Sequence, residues 1–120
     1  MAASPLRDKS YAFALAVVKQ VRALRQQSRE YELTSQLLRA ATSIGANVEE
    51  ANAGQSKKDF VAELAIARKE ANEARYWLRL LRDAEILETI IVRTLIEDCE
   101  ELIRMLTASV KTAQQANTHT

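Results

Sequence analysis

Chains reverse direction most cheaply at Gly, Pro, Asn or Asp clusters, and this sequence offers two Gly and one Pro in 120 residues. A sheet of short strands needs many such reversals, whereas a few long helices need only a handful. Ala, Leu, Arg and Glu, all good helix formers, are abundant. The scarcity of turn formers therefore predicts an all-α chain before any periodicity is read. The length suits one domain spanning residues 1–120. With 48% hydrophobic and 28% charged residues, the chain can bury a core rather than stay disordered.

Periodicity then divides the chain into four helices. The first is expected from about Ser4 or Asp8 to about Gln27, with Ser4 as N-cap and Pro5 at the first helical position. Phe13, Val17, Val21 and Leu24 share one of its faces. After a link at 28–31, the second helix runs from about Glu32 to Asn52. Its stripe is Leu33, Leu37, Ala40, Ile44, Val48 and Ala51. Gly54 is expected as a left-handed residue closing that helix. Ser56 caps the third, and Asn47 joins Gly54 and Ser56 in satisfying helix-end groups around the turn. The third helix, about Lys57 to Asp83, carries Phe60, Leu64, Ala67, Ala71, Ala74, Leu78 and Leu81 at alternating spacings of four and three, a bundle seam. The fourth runs from about Thr89 to Ala113, and the polar tail from about 114 is expected to fray. Short connections make neighbours antiparallel, so the predicted architecture is an up-down-up-down four-helix bundle.

The third helix has more apolar surface than one seam requires. At about 100° per residue, Ile66, Trp77 and Leu80 are expected opposite the Phe60–Leu81 seam, with Tyr76, Glu70 and Glu73 in the same strip. Trp77 is the sole tryptophan, and tryptophan is enriched where partners bury surface. A helix contacted on two sides within one chain, or a solitary exposed aromatic, would also give this pattern. The expectation carried forward is a homo-oligomer interface. Its counterpart is a flank of the first helix that begins apolar at Tyr11, Leu15 and Val18 and turns basic at Arg22, Arg25 and Arg29. That flank is expected to meet Glu70 and Glu73 of another copy, with Arg25 opposite Glu73.

The net charge of +1 exerts no global pull on nucleic acid or anionic membrane. Charge is nonetheless uneven: Arg7, Lys9, Lys19, Arg22, Arg25 and Arg29 precede an acidic last third. That leaves an alternative function, nucleic-acid binding by Arg22, Arg25 and Arg29 with Lys57 and Lys58. No run of 18 apolar residues marks a membrane partner, and the charged start argues against a signal peptide. A single Cys99 excludes an internal disulfide and suits a reducing cytoplasm. Catalysis needs converging groups. His119 stands alone in the tail, Cys99 lies on an inward face, and Glu70-x-x-Glu73 and Glu97-x-x-Glu100 lack the histidines of a bundle di-metal site. The expectation is a non-enzyme with no metal or cofactor.

The segment TSIGANVEEANAGQSKKDFVAELAIARKEANEARYWLRLL carries a family resemblance. Ser43, Ile44, Asn47, Glu50, Gly54, Ser56, Lys57, Lys58 and Phe60 match a pattern across the second turn, followed by Ala74 to Leu81. The chain resembles the four-helix bundle proteins known as 23S ribosomal RNA intervening-sequence proteins. The resemblance implies a small cytoplasmic bacterial bundle without established enzymatic activity, assembling as a homopentamer. It also implies possible partners in RNA or a nucleic-acid-processing protein, since a related branch of basic pentamers serves diversity-generating retroelements. This chain is nearly neutral and departs from that branch.

Overall fold

A computed structural model describes residues 4–54 and 56–118. They form α1 (Pro5–Arg25), α2 (Glu32–Ala53), α3 (Lys57–Asp83) and α4 (Thr89–Thr118). Each helix packs on the ones before and after it in the chain, and α1 also packs on α4. The diagonal pairs α1–α3 and α2–α4 do not touch in this way, so the helices stand at the corners of a square in up-down-up-down order. No helix among the described residues is long and apolar enough to cross a membrane.

Helix ends follow local chemistry. Ser4 is extended, and its Oγ accepts the Arg7 N–H at 3.4 Å, with Pro5 entering the first turn. Ser56 does the same for α3, accepting the Asp59 N–H at 3.1 Å. The start of α2 uses a device that sequence reading missed. Tyr31 makes no side-chain cap; Glu30 Oε1 accepts the N–H groups of Leu33 (2.7 Å) and Thr34 (3.3 Å) from just outside the helix.

Three expectations about helix ends are corrected. Gly54 is extended, at φ −67° and ψ 157°, and not left-handed. The left-handed residue is Glu85, at φ 59°, in the turn after α3. There Ile86 N–H donates to Leu81 O and Glu85 N–H to Arg82 O, the paired bonds of a Schellman motif that satisfies the last carbonyls of α3. Asn47 closes no helix end either: its Nδ2 donates to Ser43 O one turn back within α2, at 2.8 Å. Finally, α4 is helical to Thr118, past the end expected near Ala113. Just before that extension, Phe60 of α3 and Ala108, Ser109, Thr112 and Ala113 of α4 line one open groove.

The seams of all four helices meet in one core. Val17, Leu37, Ile44, Leu64, Leu78, Leu81, Val92, Leu102 and Leu106 are among its fully buried members. Ala67, Ala71 and Ala74 are also fully buried. Their small side chains bring the α3 backbone close to α4, so that the Cys99 thiol donates to Ala71 O at 3.2 Å. Burial pushes that thiol up to about 12. Cys99 is a packing residue here, not a nucleophile.

Candidate self-assembly surface

Trp77 and Ile66 do not sit opposite the seam as expected. Measured from the buried Ala67–Ala71–Ala74–Leu78 line, Trp77 lies roughly a quarter-turn round, on the flank next to α2. Trp77 and Leu80 are half-buried, whereas Ile66 and Tyr76 are 44% and 51% exposed. Trp77 faces an open groove of about 550 Å³ lined also by Tyr31, Glu32, Leu33, Ser35 and Gln36 at the start of α2. Tyr76 packs edge-on against it with ring centroids 5.1 Å apart.

Glu70 and Glu73 already have a partner within the chain. Arg39 of α2 donates to both Glu70 oxygens, at 3.1 and 3.3 Å, and also to Glu73 Oε1. Trp77 Nε1 donates to the same Glu73 oxygen at 3.3 Å, which orients the indole. Burial raises the Glu73 carboxyl. The hydrogen bonds from Arg39 and Trp77, with the charges of Arg39 and Lys69, outweigh it and hold the group below its ordinary value. Sequence reading missed Arg39 because nothing in a one-dimensional pattern says which α2 residue stands beside Glu70.

On α1, Tyr11 is 66% and Leu15 42% exposed, and Val18 is half-buried. The basic end is only partly available. Arg25 donates to Thr34 Oγ1 at 3.0 and 3.2 Å and to Ser35 Oγ at 3.0 Å, and lies 5.2 Å over the Tyr31 ring. The expected pairing of Arg25 with Glu73 of another copy therefore competes with occupied partners on both sides. Arg22 and Arg29 are exposed and make no ion pair among the described residues. Arg7 and Lys9 are paired with Glu49 (3.0 Å) and Glu101 (2.6 Å). Lys57 and Lys58 are exposed at the far end of the bundle from Arg22, Arg25 and Arg29, so the five basic candidates do not form one surface.

Two further exposed apolar residues, Tyr31 (51%) and Ile90 (69%), escaped the sequence reading because both lie where a helix begins and no stripe is established. Among the described residues no three His, Cys, Asp or Glu side chains gather in a metal-holding group. Glu100 faces Arg75 at 3.9 Å. His119 lies outside the described residues.

A square antiparallel bundle with exposed apolar residues on two of its helices defines the class: an all-α four-helix bundle protein. The family model for the 23S rRNA-intervening sequence protein matches residues 5–108, and the chain belongs to that family. It is similar to a solved protein of unknown function from the S23 ribosomal protein family of Bacteroides thetaiotaomicron. The two are 39% identical with a TM-score of 0.85, over 88% of this chain and 98% of that one. No curated protein matches the chain.

Proposed function

We propose that the protein is a non-catalytic, self-assembling structural module, in which the α1 strip of one copy packs on the α3 flank of the next to close a homo-oligomeric ring. The observation that carries this reading is the placement of the two strips. Tyr11, Val18 and Arg22 share the flank of α1 on which Arg7 reaches α2, so that strip opens on the α1–α2 side of the square. The α3 strip opens on the α2–α3 side, where Arg39 lies. Because the strips occupy different sides, their contact is heterologous. Adjacent sides of a square meet at roughly a right angle, which suits closure of a small ring of about four or five copies. A pentamer is the number implied by the family resemblance.

Height along the bundle supports a ring over a filament. The contacts Arg7–Glu49 and Arg25–Thr34 set α1 against α2, and Arg39–Glu70 and Arg39–Glu73 set α2 against α3. Chained together, they bring Ile66 level with Leu15, and Glu70 and Glu73 level with Val18 and Arg22. As diagonal helices, α1 and α3 run in the same direction, so an apolar residue (Leu15; Ile66) precedes the charged ones (Arg22; Glu70 and Glu73) on both strips, and on α3 the apolar Tyr76, Trp77 and Leu80 follow the charges. A rotation about an axis parallel to the helices aligns them without axial shift, and a rotation without rise closes.

Light scattering on the purified protein tests this reading. A mass several times the 13.5 kDa protomer is expected. Leu15→Asp and Trp77→Asp should each release protomers that keep their helical circular dichroism. Leu15 faces solvent in the single chain, so its variant remains informative if Trp77→Asp misfolds. A 13.5 kDa wild-type particle refutes the reading. A parallel run with bulk RNA tests the alternative: salt-dependent co-migration lost on neutralising Arg22 and Arg29 would favour nucleic-acid binding.

A further inference from the structure

The α3 flank carries a charge imbalance. Glu70 and Glu73 present two carboxylates to the single guanidinium of Arg39. Their side chains are only 17% and 33% exposed, so water compensates them incompletely. Lys69 adds charge at a distance but makes no ion pair with them. Beside this cluster lies the aromatic groove of Trp77 and Tyr31, and Tyr31 already carries one guanidinium, that of Arg25, against its ring. On α1, at the height of Glu73, stands Arg22, exposed and without an ion pair. Arg25, one turn further, is held by Thr34 and Ser35.

We infer that Arg22 of one copy closes on Glu73 and the Trp77 ring of the next, completing a neutral cluster of two guanidiniums and two carboxylates beside an indole. The inference rests on the ring reading above and assigns the charged half of its interface. Arg22, not Arg25, is the residue that selects the α3 flank. The apolar half, Leu15 against Ile66, supplies area, and the Arg22 contact fixes the register along the bundle.

The test is a double-mutant cycle read by self-association and by the emission of Trp77, the sole tryptophan. Wild-type emission should shift to the blue as assembly proceeds with concentration. Arg22→Ala and Glu73→Gln should each weaken self-association roughly tenfold or more, and the pair should do no worse than the stronger single change. Arg22→Ala should also remove most of the concentration-dependent emission shift, while Lys19→Ala on the same helix should change association less than about twofold. If Arg22→Ala leaves both association and emission as in the wild type, or if the two effects simply add, the assignment is overturned while the ring stands. If the wild type itself never exceeds one protomer's mass, the ring reading falls first.

Discussion

Replacing Arg39 by methionine keeps the length of its stem but removes the guanidinium that holds α2 to α3 at Glu70 and Glu73. Its side chain is 46% exposed, so each ion pair must be discounted toward the surface value, well under 1 kcal/mol. Two features raise the total. The guanidinium serves two carboxylates at once, and without it those carboxylates remain as a like-charged pair three residues apart on one helix, partly shielded from water. The expected loss is about 1 kcal/mol, and no more than about 2, at neutral pH. For a chain of this size that lowers Tm by about 4 °C per kcal/mol. Urea unfolding of both proteins, repeated at two protein concentrations, separates it from any change in assembly. The pH dependence is the sharper test. The ordinary value of Glu73 is 4.5, and the folded value lies below it. Its contribution is therefore present above about pH 4.5 and is lost as pH falls through the folded value. The gap between wild type and Arg39→Met should be full at pH 7 and shrink toward about pH 3. An equal gap at both pH values, or none at pH 7, would refute the account of this cluster.

Four other experiments test the fold's details. Ser56→Ala should cost about 1 kcal/mol by leaving the Asp59 N–H without its cap, and Ser56→Gly only a few tenths, both measured by urea unfolding. Glu85→Asn should stabilise by up to about 1 kcal/mol, because Asn tolerates the left-handed conformation better. Gly54→Ala, at an extended residue where the new Cβ would lie 3.3 Å from Ala51 O, should cost less than about 1 kcal/mol by urea unfolding. Cys99 should resist a thiol reagent in native buffer at pH 8 and react at the rate of chain opening, since its thiol is buried and pushed up to about 12. Rapid native labelling would disprove the close packing of α3 on α4.

Much of the fold was legible residue by residue. The Phe60–Leu81 alternation located α3, and six of its seven members are fully buried, all but Phe60. Ser4 and Ser56 announced their helices because an N-cap is a short-range bond between residues three apart. The errors fell where the deciding partner was distant. Whether a left-handed residue is needed depends on the path to the next helix, so it appears at Glu85 after α3 and not at Gly54.

The candidate surface divides along the same line. Sequence alone determined that α3 has apolar residues off its seam and that α1 carries a strip running from apolar to basic, because helical spacing sets which residues share a face. Only the tertiary structure decided that Glu70 and Glu73 belong first to Arg39, that Arg25 is engaged by Thr34 and Ser35 while Arg22 stands unpaired, and that the two strips lie at one height on adjacent sides. The physical reason is range. A helix's faces follow from bonds four residues long, but which charge meets which depends on how whole helices pack, and that is settled by the core they share.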